Sequence, residues 1–241
     1  LRDDSRICWA TKGLEPDTGR LLKEVAIDAL GEDVPLAVLS GPTFAKELAA
    51  GMPTAIAVSS PDEIFVRELQ EKIHCSKTFR VYSNTDFIGM QLGGAVKNVI
   101  AIAAGMGDGA GAGDNTRSAV ITRGLAELTR LGVAMGGRPQ TFAGLAGMGD
   151  LVATCISSLS RNRHVGFNLG KGRTLDEIIE EMSMVAEGVK TCEVVMELAE
   201  QYNIEMPISH EVYKVVHQGN TVRDAFKGLL RQQSGAESDP G

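Results

Sequence analysis

The sequence is short of the residues that build metal and redox centres. Its four cysteines, Cys8, Cys75, Cys155 and Cys192, lie 67, 80 and 37 residues apart, and its four histidines do not cluster. No pair has metal-ligand or redox-motif spacing. His210 and His217 share a predicted helix face, but two distant imidazoles do not make a zinc site. The cysteines read as reduced core thiols of a cytoplasmic protein. Basic charge is scarce too. Lys and Arg number 24 against 31 Asp and Glu, a net charge of −7 and a pI near 5.2. That argues against nucleic acid or an anionic membrane as partner, while a local basic cluster still suits a small anion. No signal-peptide pattern is present.

A strict phosphate-loop pattern is also lacking. GMGDGAGAGDN at 105–115 follows a predicted helix, not a strand, and holds no G-x-G-x-x-G. VGFNLGKGR at 165–173 has short glycine spacing, and Gly172 stands where a P-loop needs Ser or Thr. A pyrophosphate-binding turn is therefore expected before residue 1. The chain opens Leu-Arg-Asp-Asp without Met and enters the strand-like Arg6–Thr11 almost at once, which reads as an internal start. A sheet without its first strands leaves an open edge, so the chain alone is expected to aggregate or to need a partner surface.

What is present is an ordinary globular composition, 43% hydrophobic and 23% charged over 241 residues, enough for one or two domains with a sizeable core. Strand-like runs at 6–11, 35–41, 54–60 and 79–84 alternate with helical spacing at 18–31 and 61–74, the pattern of an α/β sheet covered by helices. Beyond residue 85 the strand signals stop. Helices are predicted over 87–107, 116–135, 150–158, 161–170, 174–182, 188–202, 208–218 and 221–232. The expected organisation is an α/β part, 1–84, and an all-helical part, 85–241, with a loose tail after about 233. Fifteen of the 28 glycines fall between Gly89 and Gly149, which predicts close helix packing or close ligand approach.

Four places carry candidate chemistry. Lys97 is the only charge in FIGMQLGGAVKNVIAIAAGMG, 87–107. Five glycines, Gln91 and Asn98 make that segment poor membrane material. On a soluble helix, partial desolvation would lower the lysine's pKa and free a neutral amine as a base; a snorkelling lysine at the edge of a core helix explains the pattern as well. Asp150 opens a predicted helix after the apolar AGLAGMG, with Thr154 one turn on, and reads as a partly buried acid or a plain N-cap. Ser160-Arg161-Asn162-Arg163 sets two arginines in a first helical turn, against the helix dipole. An anion bound there would resolve the conflict, and an exposed basic turn is the alternative. Lys12 follows the first strand and Ser40-Gly41-Pro42-Thr43 the next, where open α/β sheets collect ligands.

Taken together these segments resemble bacterial-type NAD(P)-dependent glycerol-3-phosphate dehydrogenases. The resemblance runs through ATKG (10–13), SGPTFAKELAAGMPTA (40–55), GGAVKNVIAIAAG (93–105), GLAGMGDLVATC (144–155), SRNRHVG (160–166) and VAEGVKT (185–191). It implies the C-terminal part of a Rossmann-like nucleotide-binding domain, residues 1–84, followed by an all-α substrate domain. It implies an oxidoreductase that interconverts sn-glycerol 3-phosphate and dihydroxyacetone phosphate with NAD or NADP and supplies phospholipid synthesis. Lys97 matches the general base. Lys12, Gly41, Thr43, Asp150, Ser160, Arg161 and Asn162 match substrate contacts. Lys12, Ala45, Arg161, Val185 and Glu187 match cofactor contacts. The family's N-terminal glycine-rich turn has no counterpart here. A hydroxy-acid or phosphogluconate-type dehydrogenase is the nearest rival. A non-enzymatic helical module, its Gly-rich helices and Met-rich segments forming a homodimer core, is the reading from a different class.

Overall fold

The computed structural model describes residues 5–16, 18–75, 77–182, 184 and 186–231. The predicted tail after 233 lies outside them. Four strands, β1 (Ile7–Trp9), β2 (Leu36–Ser40), β3 (Thr54–Ser59) and β4 (Phe79–Asn84), form one sheet in sequential order. β1 pairs parallel with β2 and β3 with β4, while β2 and β3 run antiparallel, Val38 opposite Ser59 and Ser40 opposite Ala57. Side chains alternate across a strand. Leu36, Val38 and Ala57 therefore pack with Phe87, Met90 and Ala146 on one face. Ala37, Ile56, Val58 and Val81 pack with Phe65 and Val66 on the other.

The helices are α1 (Leu22–Leu30), α2 (Ala45–Ala49), α3 (Glu63–Ile73), α4 (Phe87–Gly109), α5 (Asp114–Ala134), α6 (Pro139–Phe142), α7 (Asp150–Ile156), α8 (Arg161–Gly170), α9 (Leu175–Glu181), α10 (Glu187–Gln201), α11 (Pro207–His217) and α12 (Val222–Arg231). A π-helical turn, Leu145–Gly149, runs straight into α7. Alternation of strand and helix up to Asn84, and helices alone after it, follow the periodicity of the sequence. Local chemistry moves the ends. α1 starts four residues later than the apolar spacing at 18–31 predicts, because Gly19 takes φ +69° and breaks the first turn. α3 starts at Glu63, since the Asp62 carboxylate accepts the amides of Ile64 at 2.9 Å and Phe65 at 3.1 Å. α2, α6 and the π-turn span four or five residues each, too short for a periodic signal.

The chain divides into two compact units. One holds the described residues of 1–95 and 132–150, with the sheet; the other, those of 96–131 and 151–241, is helical. α4 is long and apolar enough to cross a membrane by length and composition, yet most of it is buried inside the protein as a core helix. In the second unit it meets α8 backbone to backbone. A Cβ on Gly105 or Gly109 would collide with the carbonyl of Arg163 or Phe167, and one on Gly166 or Gly170 with that of Ile102 or Met106. The glycine surplus predicted to mean close helix packing is spent in part on this seam.

Candidate active site

In the first unit, the parallel pairing of β1 and β2 puts their carboxyl ends at one edge. Lys12 follows one and Gly41 the other. Lys12 Nζ donates to the Gly41 carbonyl at 2.7 Å and to Asp150 Oδ2 at 2.6 Å. The Asp150 side chain is 4% exposed and that of Lys12 18%. A charge that buried persists only when paired, and removal of one partner strands the other. Asp150 is thus more than a helix-opening residue. Two glycines make the arrangement fit. Gly41 takes φ +148°, and a Cβ there would lie 3.3 Å from Ile56 Cα. A Cβ on Gly94 of α4 would lie 3.1 Å from Ser40 Oγ and 3.2 Å from Lys12 Cγ. Thr43 Oγ1 donates to the Gly41 carbonyl at 3.1 Å. Ala45 is the exposed first residue of α2.

In the second unit, Lys97 is 5% exposed in the middle of α4, and its Nζ donates to Thr154 Oγ1 at 2.7 Å. It is a buried lysine, not a snorkelling one. Beside it on α4, Asn98 accepts from Asn162 Nδ2 at 3.0 Å, and Asn162 Oδ1 in turn accepts the Gly188 amide at 2.9 Å. This relay ties α4 to the first turns of α8 and α10, so two helix N-termini, each carrying partial positive charge, converge. Ser160 caps α8, accepting the Arg163 amide at 3.2 Å. The two arginines of that turn differ. Arg163 is locked, donating Nε and Nη2 to Asp108 Oδ2 at 3.0 and 2.6 Å, and Arg117 donates to the other oxygen of Asp108 at 2.9 Å. Arg161 is 38% exposed and reaches Glu187 Oε1 at 3.5 Å.

Comparison with known proteins decides the family. Residues 86–227 match the model for the NAD-dependent glycerol-3-phosphate dehydrogenase C-terminus, and residues 1–66 match that for the N-terminus. The chain belongs to the NAD-dependent glycerol-3-phosphate dehydrogenase family. It is 67% identical over 230 residues to glycerol-3-phosphate dehydrogenase [NAD(P)+] of Photobacterium profundum, covering 95% of this chain and 68% of that one. The enzyme of the same name from Aliivibrio fischeri is 64% identical over 238 residues, 99% of this chain and 69% of its own. The crystal structure of glycerol-3-phosphate dehydrogenase from Coxiella burnetii superposes with a TM-score of 0.91 at 44% identity, covering 95% of this chain and 69% of that one.

The residues expected from the dehydrogenase resemblance fall into two groups, each clustered within its own unit. Lys12 bonds both Gly41 and Asp150 in the first. Lys97, Ser160, Arg161, Asn162 and Glu187 stand on α4, α8 and α10, or at their ends, in the second. Val185 lies outside the described residues. Thr154 and Asn98 belong with the second group and were not among the expected contacts. Their signals were visible: Thr154 follows Asp150 by one helical turn, and Asn98 is the amide beside Lys97 in an apolar segment. Asp108 as the partner of Arg163 left no signal, since 55 residues separate them. The cysteines correct one expectation. None is in a disulfide, but only Cys155 and Cys192 are core residues, while Cys75 is exposed.

Proposed function

We propose that the protein interconverts sn-glycerol 3-phosphate and dihydroxyacetone phosphate as an NAD(P)-dependent oxidoreductase. The observation that carries this reading is Lys97, buried in an apolar helix with its amine held on Thr154. Lys97 removes the proton of the substrate C2 hydroxyl and returns it in the reverse direction. Thr154 fixes the nitrogen's position, and the Asn98–Asn162–Gly188 relay fixes the first turn of α8 against α4. The phosphate is taken by that turn: the amides at the α8 N-terminus, the Asn162 region and the Arg161 guanidinium are its donors. Arg163, spent on Asp108, is structural. Ser160 caps that turn, and the family resemblance gives Lys12, Gly41, Thr43 and Asp150 as further substrate contacts.

The donor set of the first unit suits a nicotinamide dinucleotide. Parallel β1 and β2 end together at Lys12 and Gly41, where such sheets bind nucleotides. The Ser40 hydroxyl, buried beside the Lys12 stem, has no hydrogen-bond partner among the described residues, so a polar group arriving there would be satisfied. Lys12, Ala45, Arg161, Val185 and Glu187 would hold the dinucleotide, which supplies or accepts the hydride when bound.

In this reading residues 1–84 are chiefly the nucleotide-binding part and 85–241 chiefly the substrate part. The reaction runs in the cytoplasm, a reducing compartment that suits unbridged thiols, and feeds phospholipid synthesis; a homodimer is the assembly to look for by sedimentation. The direct test is Lys97→Ala, expected to lower kcat/KM for glycerol 3-phosphate by about 100-fold or more, the scale of general-base loss, with loss of the acidic limb of the oxidation pH profile, where a protonated base stops the reaction. Unchanged turnover, or equal activity on a carboxylated hydroxy acid, would overturn the reading.

A further inference from the structure

The two arginines at the start of α8 pose an electrostatic problem that the fold solves in two different ways. Two guanidinium groups beside a helix N-terminus stack positive charge on positive charge. Arg163 is neutralised permanently: Asp108 is 9% exposed, receives two bonds from it, and receives a third from Arg117. Arg161 is neutralised loosely. Its partner Glu187 sits across a 3.5 Å gap, and both side chains reach solvent, at 38% and 47% exposure. Glu187 is also the first residue of α10, and the next amide of that helix, Gly188, is tied to Asn162 one residue beyond Arg161. The carboxylate is thereby held within reach of the guanidinium by a buried hydrogen bond and is not placed there by chance side-chain wandering.

We propose that Glu187 is an exchangeable counter-ion for Arg161, a built-in carboxylate that holds the guanidinium until a phosphate dianion displaces it. The inference rests on the reading of the α8 turn as a phosphate site. It makes Glu187 a positioning residue that sets the affinity of that site. The exchange leaves the guanidinium with an anionic partner in both states, and an exposed ion pair at 3.5 Å is weak enough to be broken by a ligand that brings two charges and several acceptor oxygens. It also gives the protein a reason to leave the pair loose: a contact as firm as Asp108–Arg163 would shut the site.

The test is titration of inorganic phosphate into the 241-residue protein, followed by the amide resonances of Arg163 and Gly188, for wild type, Glu187→Gln, Arg161→Ala and the double variant. Gln keeps the shape and removes the charge. Glu187→Gln is expected to tighten phosphate by about three- to fivefold at low salt, the scale of an exposed ion pair, and Arg161→Ala to weaken it by about tenfold or more. In the Arg161→Ala background, Glu187→Gln should change nothing. A weakened Arg161→Ala with no gain from Glu187→Gln overturns the counter-ion and leaves the phosphate site standing. A gain that survives in the double variant also overturns it, since the carboxylate then acts by repelling phosphate directly. No effect of Arg161→Ala overturns the phosphate site and the counter-ion together.

Discussion

The two units hold their functional side chains by different means. In the first, Lys12 and Gly41 hang from strand ends; Lys12 is secured by its ion pair with Asp150 and by its bond to the Gly41 carbonyl. In the second, Lys97, Asn162 and Arg161 ride on helices, two of which touch through bare backbone at the Gly105, Gly109, Gly166 and Gly170 seam. The first site depends on charge, and the second on the absence of side chains. Loss of a charge and gain of a methyl group should therefore have opposite rank in the two units.

The largest effect is expected from the ion pair. Asp150→Ala leaves the Lys12 ammonium deprived of its carboxylate and should cost about 3–5 kcal/mol in urea unfolding; a loss under about 1 kcal/mol would mean that the pair is solvated and that strand ends need no such anchor. Next comes the seam. Gly166→Ala sets a methyl group against the Ile102 carbonyl and should cost about 1–3 kcal/mol or more, whereas Gly13→Ala in the first unit, with nothing within 4 Å of the added carbon, should stay within about 0.5 kcal/mol. Equal melting temperatures for the two variants would erase the contrast.

A smaller effect concerns acid. In the first unit Glu15 and Glu68 are held below the usual carboxylate range, chiefly by hydrogen bonds from Arg20 and Arg6. In the second, Glu181 is held low by Arg173, and Glu177 by the Thr174 amide and hydroxyl. Stabilisation from such groups is present above the unfolded carboxylate range and is lost as pH falls through their lower folded values. Glu127 has the opposite sign. It caps α11, accepting the amides of Ile208 at 2.6 Å and Ser209 at 3.1 Å, but burial outweighs those bonds and pushes its carboxyl up. Its contribution is present below the unfolded value and is lost as pH rises through the folded one. Glu127→Gln lacks that loss. Its stability deficit against wild type should narrow between pH 5 and 8, and a widening deficit would show that the cap's hydrogen bonds dominate.

The mildest perturbation is chemical labelling. Cys75, exposed in the first unit, has its thiol lowered to about 7, first by a hydrogen bond from the Thr78 hydroxyl and then by nearby backbone amides. Burial pushes Cys192 of the second unit up to about 12. Iodoacetamide at neutral pH should therefore modify Cys75 first, with a half-point near pH 7, and spare Cys192 while the fold is intact. Simultaneous labelling would mean that the second unit opens as readily as the first.

Much of this was legible before any coordinates. Alternating apolar runs located all four strands, and three- to four-residue spacing found every helix longer than five residues. Lys97 was visible as a solitary charge in an apolar segment, and Arg161 and Arg163 as cations at the wrong end of a helix. What stayed hidden were the facts that need a third dimension. The antiparallel step between β2 and β3 leaves no mark in a hydrophobic period. The family resemblance already picks Arg161 over Arg163, but the physical reason, Asp108 on a helix 55 residues away in sequence, leaves no mark, and a glycine count says that something comes close without saying what. The role of Asp150 was ambiguous for the same reason, since an N-cap and a buried counter-ion are the same letter in the same place.

The seam between α4 and α8 has a consequence for how this protein can vary. Glycine has no smaller neighbour among the amino acids, so each of these four positions admits change in one direction only, toward more atoms. A point substitution there has no conservative version, and a second-site repair must shift two whole helices because the opposing surface is carbonyl and amide, not a side chain that can be trimmed. Adaptation of the helical unit to new substrates or temperatures is therefore channelled away from the seam, into the side chains that flank it and the turns where Arg161 and Glu187 sit.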